Sequence, residues 1–185
     1  MKSLLLASSS PRRKELLALL DLPFRTFSSD IDETIQPGTP PEEAVKQLAY
    51  KKALAASSVY QQSIVIGCDT IVVHNGQILG KPKDHKDAFR TLSMLSGQTH
   101  AVYTGVCIMT NETYTCFYEK TMVTFWKLDS RDIEAYIDSG EPFDKAGSYG
   151  IQGKAALFVK GIQGDYYSVV GLPVSRLARE LSTFR

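Results

Sequence analysis

The chain has 185 residues, of which 43% are hydrophobic and 22% charged, and its 21 basic side chains nearly cancel 20 acidic ones. Such a composition excludes a disordered chain, and the length allows one sizeable core or two lobes sharing a cleft. The near-zero balance excludes a general field for duplex nucleic acid or an anionic membrane, so any anion site must be local.

In chain order, residues 3–7 read as a short buried strand. A helix is expected at once, with Ser10 as its cap, Pro11 at its first position and an apolar stripe of Leu16, Leu17 and Leu20. The apolar stretch before Ser8 is too short for a secretion signal, and no run is long enough to span a bilayer. A cytoplasmic protein is expected. A second strand is predicted over 24–28. Thr39-Pro40-Pro41-Glu42 has the form of a capping box opening a helix that runs to about Ser57. Residues 64–74 and 77–79 read as strands joined by the hairpin turn Asn75-Gly76. A helix from Asp84 or His85 should end near Ser96, stopped by Gly97. Strands over 100–110 and 114–125 follow, then a helix over 130–139 stopped by Gly140. A glycine-rich loop over 141–153 leads into a strand over 155–162, and a last helix begins near Pro173. Early alternation of strands and helices, then hairpins, predicts an α/β fold with a mixed sheet, as one domain over 1–185.

Cys68, Cys107 and Cys116 lack metal-type spacing and cannot all pair, which fits reduced thiols. Cys107 and Cys116 are equidistant from the turn at Asn111-Glu112, a spacing that would face them across a hairpin. The histidines show no ligand spacing: His74 reads as a strand residue, His85 and His100 as surface positions.

Three features carry chemistry. In the strand-to-helix turn Ser8-Ser9-Ser10-Pro11-Arg12-Arg13, hydroxyls and guanidiniums gather at a helix N-terminus, whose free N–H groups and dipole favour phosphate. Basic residues oppose that dipole, and a bound anion would account for them. Lys52 falls near the middle of the apolar face formed by Ala44, Val45, Leu48, Ala49, Ala53, Ala55 and Ala56, so it must snorkel or meet a negative partner. Asp69 interrupts an apolar strand between Ile66-Gly67 and Ile71-Val72, where a carboxylate needs a cation or hydrogen bonds. With the acidic patch Asp30-Ile31-Asp32-Glu33 converging on it, Asp69 would form a hard oxygen site for Mg²⁺ or Mn²⁺. Lys81, on the Gly80-Lys81-Pro82 turn, and the loop Asp144 to Gly153, with glycines at every third position, offer a cation and close backbone approach.

Together these segments resemble the Maf family of nucleoside triphosphate pyrophosphatases. The resemblance rests on Ala7 to Arg13, Gly67-Cys68-Asp69-Thr70-Ile71-Val72, Gly80-Lys81-Pro82, Ser96-Gly97-Gln98-Thr99-His100 and Asp144 to Gly153, in the family's order. It implies an elongated twisted mixed sheet with flanking helices, in two lobes around a central cleft, like inosine triphosphate pyrophosphatases. It also implies hydrolysis of dTTP and UTP to the monophosphate and pyrophosphate. By resemblance Asp69 is the proton acceptor, and Arg12, Thr70 and Gln152 match the branch that prefers pyrimidines over 7-methyl-GTP. Ser8, Arg13, Lys52 and Lys81 then bind substrate, and Glu33 joins Asp69 on the metal. A homodimer is compatible by analogy. Two other classes stay open at this point. One is a nucleotide-binding regulatory module in septum formation, without turnover; the other is a nucleotidyltransferase. A nucleotide panel with pyrophosphate detection separates all three.

Overall fold

The computed structural model describes residues 3–28 and 30–184. Its strands are β1 (Ser3–Ala7), β2 (Phe24–Phe27), β3 (Ser63–His74), β4 (Gln77–Leu79), β5 (Thr99–Met109), β6 (Tyr114–Phe125) and β7 (Val159–Gln163). The α-helices are α1 (Pro11–Ala18), α2 (Pro41–Ser57), α3 (His85–Leu95), α4 (Ser130–Asp138), α5 (Tyr166–Val170) and α6 (Val174–Leu181). The sheet runs β2-β1-β3-β5-β6-β7, with β4 paired to β3, and mixes parallel and antiparallel neighbours. The mixed α/β fold expected from the sequence is the one observed.

The chain divides into two compact units that are discontinuous in sequence. The first draws on Met1–Thr70, Thr104–Glu119 and Gly171–Arg185. Here β1 lies between β2 and β3, parallel to both, and its Leu4, Leu5 and Leu6 are buried, as a strand covered on both faces requires. Helix α2 lies on this sheet through small residues. Ala49, Ala53 and Ala56 join Leu5, Ala7, Val65, Cys107 and Met109 in one cluster. Gly67 on β3 makes the contact possible, because a Cβ there would fall 2.1 Å from the Ala49 carbonyl oxygen. Gly105 on β5 does the same against Val45, at 2.4 Å. The capping box does not form: α2 starts at Pro41 behind Pro40, without a side-chain cap, and the Thr39 hydroxyl donates to the Gln36 carbonyl. Two successive prolines start the helix late enough to leave Thr39 outside it. Cys107 and Cys116 hydrogen-bond to each other, and all three cysteines are free.

The second unit comprises Ile71–Tyr103 and Lys120–Val170. Asn75 and Gly76 both take positive φ, 48° and 76°, as the expected hairpin turn demands. Asp84 caps α3, accepting from the Asp87 amide at 2.8 Å, and Gly97 follows that helix at φ 69°. The strand expected over 155–162 is shorter, because Lys154–Phe158 forms a 3₁₀ helix. Its buried residues are Ala155 and Phe158, three apart, which is the 3₁₀ period and not strand alternation. The sequence reading passed over α5, although Asp165 accepts from the Ser168 amide near its start, at 2.6 Å.

Candidate active site

Gly67 and Asp69 are two apart on β3 and therefore share a face of the sheet, the face on which α2 lies. The same glycine that admits the helix backbone thus sets Asp69 under it. Lys52, one turn past Ala49, reaches down with its Nζ 2.5 Å from Asp69 Oδ1 and 2.8 Å from Glu33 Oε1. The Lys52 and Asp69 side chains are only 16% and 12% exposed, so this is a largely buried pair, whereas Glu33 is at the surface. Burial alone pulls the Lys52 pKa down. Asp69's charge and the hydrogen bonds that Lys52 donates to Asp69 and Glu33 outweigh it, and the net shift is upward, so the ammonium stays charged. Cys68 points the other way, donating to the Gly171 carbonyl at 3.1 Å, and burial raises its pKa into unreactive thiol territory.

The serine-arginine turn folds as expected. Ser10 caps α1, and Ser8 Oγ accepts from the Ser10 amide at 3.2 Å and from Arg13 Nη1 at 3.4 Å. Arg13 also donates through Nε to the Gly171 carbonyl at 2.8 Å and through Nη2 to Thr70 Oγ1 at 3.0 Å. Every one of these acceptors is neutral, and among the described residues no carboxylate forms a salt bridge with Arg13. Neutral groups thus orient the guanidinium, an arrangement that suits a phosphate-binding arginine. Thr70, whose hydroxyl also meets Thr104 Oγ1 at 2.9 Å, acts directly on Arg13. Arg12 is half-buried in the first turn of α1.

The structure therefore gathers Ser8, Arg13 and Thr70 into one network and Glu33, Lys52 and Asp69 into another, joined through the adjacent Asp69 and Thr70. The acidic patch converges only in part. Asp32 accepts from the Thr34 amide at 2.9 Å within its own loop, and Asp30 is exposed. In the second unit, exposed Lys81 follows Gly80, whose carbonyl accepts from the Gly147 amide at 3.1 Å. Gln152 is exposed between buried Ile151 and exposed Gly153.

Sequence reasoning passed over Thr104 and Gly171, which help hold Arg13's network. Thr104 carried a signal, since it is a polar residue in the apolar run of β5, as Asp69 is in β3. Gly171, at φ 134°, carried none. His100 is a correction: it is 1% exposed and not at the surface. Buried His74 is the strand residue expected, and His85 is exposed beside Glu134 at 2.9 Å.

Among the described residues no group of three His, Cys, Asp or Glu side chains could hold a metal ion. The pair Asp69 and Glu33, bridged by one cation already, nevertheless suits Mg²⁺ or Mn²⁺, which take one or two protein carboxylates and complete their shells with water and substrate phosphate.

A family model described as Maf-like protein matches residues 3–184. A dTTP/UTP pyrophosphatase of Bacillus cytotoxicus is 55% identical over 184 residues, covering 100% of this chain and 96% of that protein. One of Bacillus cereus (strain AH187) is 54% identical with the same coverage. Among solved structures, the Staphylococcus aureus Ham1 protein aligns with a TM-score of 0.55 at 12% identity, covering 100% of both chains. A Coxiella burnetii HAM1 protein aligns at 0.54 and 15% identity, covering 99% of this chain and 100% of its own. At such identities the likeness shows the fold.

Proposed function

The chain belongs to the Maf family, and on that premise we propose that it hydrolyses dTTP and UTP, the nucleotides for which its pyrophosphatase relatives are named, to the monophosphate and pyrophosphate. The observation that carries this assignment is the buried Asp69, held by the Lys52 ammonium beside an arginine that donates to neutral oxygens of Ser8, Thr70 and Gly171.

Asp69 and Glu33 would hold the divalent cation, which supplies Lewis-acid polarisation of phosphate oxygen and eases ionisation of water. Asp69 accepts the proton of the attacking water. The water oxygen bonds to the α-phosphorus in line, the bond from that phosphorus to the bridging oxygen of the β-phosphate breaks, and pyrophosphate departs with the electron pair. Arg13 meets phosphate oxygens through edges its neutral acceptors leave open, and the Ser8 hydroxyl donates beside it. The Lys52 ammonium, beside Asp69, adds charge that the phosphates meet. Lys81 adds a second ammonium, Arg12 and Thr70 tune selection, and the Gln152 amide offers a donor and an acceptor to the carbonyl and N–H of uracil or thymine.

Action in the cytoplasm is part of this proposal, supported by three free thiols. No described helix is long and apolar enough to cross a membrane. The test is a panel of nucleoside triphosphates with Mg²⁺ or Mn²⁺. Pyrophosphate and monophosphate should appear in equal amounts, fastest from UTP and dTTP, and intact triphosphates throughout would refute the assignment.

A further inference from the structure

We infer that His100 is a positioning residue for nucleotide selection, holding through the Tyr149 hydroxyl the loop that carries Gln152. The inference builds on the proposed function for its ligand, and on geometry within the second unit for the rest.

His100 is the second residue of β5, and its Nε2 lies 2.7 Å from the Tyr149 hydroxyl, with both side chains buried. Phe125 completes a set of three rings packed edge to face. The centroids are 5.0 Å apart for His100 and Phe125, 5.3 Å for His100 and Tyr149, and 4.8 Å for Phe125 and Tyr149. Two rings and a hydrogen bond confine Tyr149 to one rotamer. Gln152 lies three residues on, and the chain between them is fastened as well. The Gly150 amide donates to the Tyr136 hydroxyl at 3.2 Å, and a Cβ on Gly150 would strike the Lys145 stem at 2.6 Å. Beyond Gln152, the Glu141 carboxylate accepts from the Lys154 amide at 3.0 Å and fills the space a Cβ on Gly153 would need. In this clamped segment the Gln152 side chain is exposed, with no hydrogen bond recorded to it among the described residues.

Clamping matters because of what an amide reads. Uracil and thymine present a ring N–H beside a carbonyl, whereas cytosine presents a bare ring nitrogen beside an amino group. The Gln152 amide can satisfy both groups of uracil or thymine at once only from one position along the base edge, and an amide displaced along that edge makes at most one of the two bonds. Selection for uracil and thymine therefore depends on where the loop holds Gln152, and the His100–Tyr149 bond is one of the side-chain bonds that fix the loop's entry.

The experiment compares the unaltered protein with Tyr149→Phe, His100→Phe and His100→Gln in two readouts. Without nucleotide, amide hydrogen exchange at 150–153 should quicken in Tyr149→Phe and His100→Phe, and return towards normal in His100→Gln, which keeps a hydrogen-bonding group. With nucleotide, the preference for UTP over CTP in kcat/KM should narrow by about tenfold in the two phenylalanine variants. That narrowing should come mainly through KM, with kcat on UTP within roughly threefold. Unchanged exchange and unchanged preference would overturn the inference. So would an equal loss on UTP and CTP that tracks a fall in melting temperature, which makes the pair a purely structural one. If the unaltered protein hydrolyses neither UTP nor dTTP, the pyrimidine assignment itself fails, and the exchange comparison alone decides whether His100 holds the loop.

Discussion

Lys52 places its ammonium 2.5 Å from the Asp69 carboxylate, across a contact that two glycines and a run of alanines allow between α2 and the sheet. Removing one partner of a largely buried pair leaves the other charge uncompensated. Lys52→Met should therefore cost roughly 3–5 kcal/mol in a denaturant melt. Its triphosphate KM should rise by at least about tenfold. An unaltered midpoint and unaltered KM would show that Lys52 only snorkels.

Arg13 is oriented by neutral oxygens, Thr70 Oγ1 among them at 3.0 Å. Thr70→Val removes that acceptor at nearly constant volume, and Thr70→Ser keeps it. The valine variant should bind triphosphate about tenfold more weakly, and the serine variant should stay within about threefold of the original. Equal weakening in both would point to packing against the methyl group instead.

Gly67→Ala tests the close approach of α2. A Cβ at 2.1 Å from the Ala49 carbonyl oxygen cannot be accommodated by a rotamer change, so the helix must move as a body. The expected cost is about 1–3 kcal/mol or more, read as a lowered melting temperature. Activity should fall with it, because Lys52 travels with α2. A stable, fully active variant would contradict this origin for the Lys52–Asp69 contact.

Burial, aided by the neighbouring His74, depresses the His100 pKa from 6.5 to about 4. Between those values the unfolded chain binds a proton that the folded chain does not, so stability is present above pH 6.5 and is lost as pH falls towards 4. The loss attributable to this residue is about 3 kcal/mol over that interval. Melts at pH 7 and pH 4.5 on the unaltered protein and on His100→Phe should show the variant losing distinctly less between them. Identical losses would place the acid sensitivity elsewhere.

Much of this fold was legible because local signals and tertiary demands agreed. Ser10-Pro11 starts α1, Asn75-Gly76 turns β3 into β4, and Gly97 and Gly140 end their helices. The apolar stripe of α2 and the interruption of β3 each pointed to a charged residue needing a partner, and the two charges proved to be each other's partners. What stayed hidden depended on contacts distant in sequence. Nothing near Gly171 says that its carbonyl receives Arg13 from 158 positions away. The burial of His100 depends on Tyr149 and Phe125, which no periodicity joins to it. The start of α2 was misread because Thr39-Pro40-Pro41-Glu42 fits the capping-box pattern although two prolines leave Thr39 outside the helix. The 3₁₀ turn before β7 was missed because the apolar run Ala155 to Phe158 also suits a strand.

The most direct test is Asp69→Asn, which keeps the shape of the side chain and removes its capacity to accept a proton. Pyrophosphate release from UTP should fall by about a hundredfold or more while titration still detects nucleotide binding. Release at close to the original rate would contradict the role given to Asp69, and with it the chemistry assigned to this site.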